Sequence, residues 1–404
     1  MRVSKRARWA LVIVAAAALV LAATAAARTH STAAKKPIVI GWAHDSSGPM
    51  APFDGPALAA AQIEIAKINK KGVMGRKIVL KTCDTQKDDP TASKACADKL
   101  ISQGAKIIFT TCDVDLASPV VQDSINHHLL TIAPCIGTDQ MGPKRFGSKG
   151  KLAFSFGNVA QDEGSAMAQF AWSHGWKTAS LAKDTAIVYF KAVVSAFKAR
   201  FTQLGGKINY ETTYVDKTYG GSNVGNAVTG INGHKKPAVI VTSTAGAFGS
   251  LGQFITGLRT AGNKTPILNS WAGDGTYWVA GLNPKVTNYW FVTYANAFGG
   301  DPSKTVNKLA KTVKAGTGGF VTGPAAIDGV VTAIKRANGS LVGSKLAAVM
   351  QRFHKVPTLS GNVSFSKKLH SVFGRRYRVI EINNNIPIQK GTIVAKKVPN
   401  SPDS

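Results

Sequence analysis

Acidic residues are scarce in this chain. Only 21 Asp and Glu stand against 50 Lys and Arg among 404 residues, a formal net charge of +29. Such a surface is drawn to polyanions. The basic residues are scattered rather than massed in one helix, and no nucleic-acid motif is visible, so a nucleic-acid partner is not expected. Catalytic signatures are also missing: there is no GxSxG, no phosphate-binding loop and no HExxH. His127 and His128 are adjacent and would diverge on a helix. Neither an enzyme nor a bound cofactor is expected. Cysteine is rare, with four residues, and no CxxC pair or matched histidines suggest a metal site. The first cysteine is Cys83, so none lies near the start of the chain to carry a lipid.

Beyond residue 27 no apolar run is long enough to span a bilayer. What precedes it has the layout of a secretory signal peptide. Arg2, Lys5, Arg6 and Arg8 make a basic start, Trp9 to Ala23 an apolar stretch, and small residues through Ala27 a cleavage site. The expectation is a signal peptide over 1–27, a flexible leader over 28–36 and an extracytoplasmic protein that is not a lipoprotein. An uncleaved anchor is the alternative. The signal segment holds four basic residues and no acid, so the remainder stays near +25. Attraction to anionic cell-wall polymers or lipid headgroups follows from that charge.

In an exported chain four cysteines imply two disulfides. Three pairings are possible. We favour Cys83 with Cys96, a strand end and the helix after Pro90, and Cys112 with Cys135, each closing a buried apolar strand.

The length exceeds what one hydrophobic core organises, so two lobes are expected. Apolar strands alternate with helical patterns from residue 37 onward. Examples are Pro37–Gly41, Lys106–Thr110 and Leu129–Ala133, with helices over 55–69, 90–103 and 118–127. The alternation marks a parallel sheet covered by helices. A second set follows residues 142–150, including a helix over 189–204 whose Phe190, Phe197 and Phe201 read as core. The end reads as a hairpin around Asn383, Asn384 and Asn385. The fold class is α/β, with two Rossmann-like lobes, each a parallel sheet flanked by helices.

Several stretches in fixed order resemble a known family. They are Ile38-Val39-Ile40-Gly41; Ser47-Gly48-Pro49; a helix ending Ile68-Asn69 and running through Gly72 to Gly75-Arg76-Lys77-Ile78; the acidic loop Asp84 to Pro90; Ala133-Pro134; and Tyr189, Phe197 and Gly205-Gly206 at matched intervals. Over about 37–390 the chain resembles the leucine/isoleucine/valine-type periplasmic solute-binding proteins of ABC transporters. The resemblance implies a type I periplasmic-binding fold, with lobe 1 over 37–153 plus 296–358, lobe 2 over 157–292 plus 362–398, three crossing strands and a tail over 399–404. It implies capture of a small molecule, an amino acid or a related polar or amphipathic compound, by hinge closure. Delivery to ABC permease subunits would follow, from a monomer. A sensor working with a receptor is the alternative.

The resemblance also places ligand contacts. In lobe 1 they are Ser46, Ser47, the aromatic Phe53, the loop Asp113, Val114 and Asp115, and the loop containing Ile136 and Thr138. In lobe 2 they are Tyr189, Ser243, Thr244, Trp271 and Asp274. Two departures stand out. Asp113 and Asp115 occupy a carboxylate-binding loop and disfavour a bound carboxylate. Trp271 stands where amino-acid binders carry an acid.

Overall fold

The computed structural model describes residues 35–221 and 223–401. The expected signal peptide, most of the 28–36 leader and residues 402–404 of the tail lie outside the described residues. No described helix is long and apolar enough to cross a membrane.

The first sheet holds β1 (Ile38–His44), β2 (Ile78–Asp84), β3 (Ile107–Phe109), β4 (Leu130–Ala133) and β5 (Ala153–Asn158), with the short β13 (Ser371–Val372) at its edge. Its order is β13-β5-β4-β3-β1-β2, and every pairing is parallel. The central strands are covered on both faces, which is why they read as unbroken apolar runs.

The first connecting helix, α1 (Ala51–Ile68), begins four residues before the expected start. Pro52 sits in its first turn, where a missing N–H costs nothing. Pro56 cannot donate to the Pro52 carbonyl; the Thr317 hydroxyl takes that acceptor at 3.0 Å instead. After α2 (Pro90–Ser102) comes α3 (Val114–Asn126), which also starts four residues early. Two N-cap candidates compete there. Asp113 wins because its carboxylate accepts from the N–H groups of Asp115 and Leu116 at 2.8 and 3.3 Å, while the Ser118 hydroxyl turns back to the Val114 carbonyl.

A short helix α4 (Pro143–Phe146) precedes β5. The chain then crosses into the second lobe, built from α5 (Ala160–Ser173), β6 (Thr178–Asp184), α6 (Val188–Gln203), β7 (Lys207–Tyr214), α7 (Val224–Gly233), β8 (Val239–Thr242), α8 (Ser250–Thr260), β9 (Ile267–Asn269) and β10 (Tyr289–Thr293). Gly164 lets α6 pack tightly on α5; a Cβ there would lie 2.3 Å from the Val193 carbonyl.

A second crossing leads to α9 (Lys304–Val313), then to α10 (Thr322–Arg336) and α11 (Gly343–Met350), both packed into the core of lobe 1. The strands β11 (Val356–Thr358) and β12 (Gly361–Val363) form a small antiparallel pair. Val356, Val363 and Phe365 join the lobe 1 core, and β13 pairs with β5. The third crossing therefore lies at 373–376, not at the expected 358–362. Likewise β5, which straddles the expected first boundary, belongs to the first sheet. The terminal hairpin of β14 (Tyr377–Asn383) and β15 (Ile386–Ile393) completes a second sheet of order β15-β14-β10-β9-β8-β6-β7. That sheet is mixed rather than parallel, because a tight Asn384-Asn385 turn can only return the chain antiparallel.

All three crossings meet at one polar and aromatic cluster. The N–H of Asn158 donates to the Tyr294 hydroxyl at 3.2 Å, and its side-chain amide bonds the Tyr377 hydroxyl and, at 2.6 Å, Asp162. The Arg375 guanidinium lies 4.4 Å over the Tyr294 ring and donates to the Phe156 carbonyl at 2.8 Å.

Candidate ligand cleft between the lobes

Open α/β sheets bind ligands at the carboxyl ends of their strands. Here those ends face each other, and six strands lead into an aspartate. Asp45 follows β1, Asp84 ends β2, Asp113 follows β3, Asp184 ends β6, Asp216 follows β7 and Asp274 follows β9. Most of these carboxylates organise loops. Asp45 accepts from the N–H groups of Ser47, Gly48 and Met50; Asp216 accepts from those of Thr218 and Ser250.

The lobes are closed on each other. Asp115 of lobe 1 accepts from the Val188 N–H, at the start of α6, at 2.8 Å, and its other oxygen pairs with Arg145 at 2.8 Å. Asp139 accepts from Gln161 at 3.1 Å. Asp274 of lobe 2 accepts from the Gly318 N–H at 2.6 Å and from the Thr293 hydroxyl at 2.5 Å. The Phe53 ring meets the Trp271 ring edge to face at 5.0 Å. Gly137 is the closest approach: a Cβ there would fall 2.6 Å from the Tyr189 ring.

Between these contacts lies a small cavity of about 20 Å³. That is room for about one water molecule. The lobes must part to admit a solute. Phe53 and Asp113 line it from lobe 1, and Tyr189, Phe190, Phe248 and Trp271 from lobe 2. Asp113 is its one charged lining residue, and burial raises that carboxyl to about 7.

Behind the aromatic wall stands Glu163, fully buried on the first turn of α5. One oxygen accepts from the Tyr189 hydroxyl at 2.8 Å and from the Trp271 N–H at 2.6 Å; the other has no partner, nor does the Trp271 indole N–H. Burial pushes Glu163 up to about 8, with those two donors pulling it partway back. Asp274 also has one unpartnered oxygen and is raised by burial to about 7.

Of the expected contacts, Phe53, Asp113, Tyr189 and Trp271 therefore line the cavity, and Asp115 and Asp274 form bonds between the lobes. The others lie elsewhere. Ser46 is exposed, its hydroxyl bonded to Asp84, and Ser47 is exposed. Val114 and Ile136 are packed in the lobe 1 core. Thr138 caps its own loop, accepting from the Gln140 N–H. Ser243 pairs with Ser270 at 2.8 Å, and Thr244 donates to Asp184 at 2.8 Å. Glu163 escaped notice because an acid in a helix's first turn ordinarily answers the helix dipole. Phe190 belongs to the apolar stripe read as core, yet its position at the start of α6 brings it to the cavity. Disulfides join Cys83 to Cys96 and Cys112 to Cys135, as favoured, with Cα separations of 5.6 and 4.8 Å.

A family model described as periplasmic binding protein matches residues 37–390. No curated protein matches the chain in sequence. Among solved structures, the chain is similar to LivJ, the branched-chain amino acid transporter substrate-binding protein from Streptococcus pneumoniae in complex with isoleucine. That match has 18% identity and a TM-score of 0.73, covering 90% of this chain and 100% of that one. The leucine-binding protein LivK from Thermotoga maritima matches at 17% identity and a TM-score of 0.72, with 88% and 99% covered. A solute-binding protein of an ABC transporter from Rhodopseudomonas palustris, in complex with 3,4-dihydroxybenzoic acid, matches at 17% and 0.72, with 90% and 99% covered. The cleft, the three crossings and the family match agree: this chain belongs to the periplasmic binding protein family, has its two-lobed type I fold, and is a solute-binding protein rather than an enzyme.

Proposed function

We propose that the protein captures a small amphipathic molecule outside the cytoplasm, an amino acid or a related compound, by closing its lobes. It then delivers the molecule, as a monomer, to the permease subunits of an ABC importer. The observation that carries this reading is the cavity itself, lined from both lobes at the carboxyl ends of both sheets and bounded by aromatic rings. A solute held there touches both halves and stabilises the closed form; the three crossings supply the hinge. The basic exterior serves a separate end. Its scattered Lys and Arg hold the protein near anionic wall polymers or lipid headgroups, which high-salt extraction of intact cells would reverse.

The experiment is a thermal-shift screen of residues 28–404 against amino acids, amides, amines and small aromatic acids. A ligand of the native state raises the melting temperature. A shift from any one class, accompanied by compaction in small-angle X-ray scattering, supports solute capture. Silence from every class removes the reading.

A further inference from the structure

The charge pattern inside the protein reverses the pattern outside. Among the described residues eleven acids are buried, against only two Lys or Arg, Arg200 and Arg375, in a chain whose net charge is +29. Neither buried arginine lines the cavity. Arg200 bonds Gln169 of α5 and Gln203 of α6, and Arg375 is held at the crossings. Arg145 and Lys144, near the lobe contact, are already paired with Asp115 and Asp139.

The cavity lining thus presents one carboxylate, Asp113, with no basic side chain beside it in the lining, while Arg375 acts on Glu163 from behind. Glu163 anchors two further lining residues, Tyr189 and Trp271, through one oxygen and leaves the other unpartnered and fully buried. Buried charge is costly unless paired. A bound carboxylate would add to that cost, with no basic side chain among the lining residues to offset it. A protonated nitrogen would relieve it. The rings of Phe53, Tyr189 and Trp271 suit the same guest, since aromatic faces attract cations and bury apolar surface.

Resting on the solute-capture reading, we propose that the ligand is a small organic amine with a ring-sized apolar body, its ammonium held by Asp113 and its body by the aromatic wall that Glu163 anchors, and that the cleft rejects carboxylates. The Trp271 indole N–H, unpartnered in the closed cleft, is the donor left for a neutral polar group on that body.

The test is calorimetric titration with three probes of matched shape: phenethylamine, phenylalanine and 3-phenylpropanoate. The expected result is that phenethylamine binds at least about ten-fold more tightly than either of the others. Asp113→Asn and Glu163→Gln should each weaken the amine by about ten-fold or more, with an unchanged circular dichroism spectrum. If one variant fails to fold, the other carries the comparison. Tighter binding of phenylalanine or 3-phenylpropanoate overturns the amine assignment and leaves solute capture standing. So does amine affinity unaltered in a folded variant. If phenethylamine and isoamylamine both fail to bind, the amine assignment falls; solute capture falls with it only if the wider screen is also silent.

Discussion

In lobe 1 the loops after β3 and β4 are joined covalently. Cys112 and Cys135 link them; Cys112 stands immediately before Asp113 and Cys135 two residues before Gly137 in the sequence. In lobe 2 the equivalent loops after β8 and β9 are held only by hydrogen bonds, Ser243 to Ser270 at 2.8 Å and the Thr244 N–H to Asn269 at 3.2 Å. The second disulfide, Cys83 to Cys96, also lies in lobe 1, tying the edge strand β2 to α2. Lobe 2 has no cysteine, and its contribution to the cavity is dominated by four rings, Tyr189, Phe190, Phe248 and Trp271, with Ile187, Ala245 and Ala272 beside them. Two units with the same βα alternation thus build their halves of one cleft differently. Lobe 1 offers a cross-linked floor with an acid at its centre. Lobe 2 offers an aromatic wall whose shape depends on packing. A rigid charged floor fixes where a ligand's polar end sits; a packed wall can be remodelled for different apolar bodies.

The comparison can be broken by pH first, where the largest effect is expected. Glu163 sits at about 8 against an ordinary 4.5, and Asp113 and Asp274 at about 7 against 3.8, all raised by burial. Wherever opening returns one of these carboxyls to water, the closed form holds a proton that the open form releases. Closure of the empty cleft is favoured fully below about pH 4 and is lost progressively as pH rises to about 8. Scattering should show the radius of gyration growing between pH 5 and 8.5. Each unit of such a shift corresponds to about 1.4 kcal/mol. Groups facing these carboxyls include Asp162, Arg375, Tyr294 and Tyr377 near Glu163, Asp115 and Asp88 near Asp113, and Tyr277 near Asp274. Glu163→Gln should flatten the upper part of the profile, and Asp113→Asn the lower. A radius that never changes with pH would count against the closed cleft as drawn.

Removing the cross-link comes next. Cys112→Ser with Cys135→Ser should cost about 2–4 kcal/mol of stability, read from urea unfolding, because the unfolded chain regains loop freedom. If only lobe 1 depends on covalent ties, Trp42 in its core should report the loss while Trp290 in lobe 2 unfolds at an unchanged midpoint. A third change acts at the line where the lobes meet. Gly137→Ala places a methyl group against the Tyr189 ring. Overpacking costs about 1–3 kcal/mol, so ligand affinity should fall roughly 5- to 150-fold while unfolding of either lobe stays unchanged. Smallest is Tyr189→Phe, which deletes the hydroxyl bonded to Glu163 within lobe 2 and should cost about 1 kcal/mol of stability, read from urea unfolding.

Much of this molecule was legible in the chain itself. Buried strands such as Ile107–Phe109 and Leu130–Ala133 announce themselves as apolar runs, because a parallel sheet leaves no polar face. The favoured disulfide pairing came from cysteines lying on or beside recognisable strands and a helix. The acids at the strand ends were visible as polar loops, and Phe53, Asp113, Tyr189 and Trp271 could be placed by resemblance. Local sequence could not say which N-cap candidate would start α3, since Asp113 and Ser118 both satisfy the rule and only the packed loop chooses. It could not show that 359–372 belongs to lobe 1, because the two-residue strand β13 has no periodicity of its own and is defined by its partner β5. Nor could it reveal Glu163. A helix's first turn carries acids for local reasons, and whether one faces water or is sealed in depends on what distant segments place over it, here Tyr189 and Trp271. The sequence determined the elements and their order, through contacts within a few residues. Tertiary structure alone decided which side chains meet across the cleft, because those contacts join segments far apart in the chain, as Phe53 and Trp271 do.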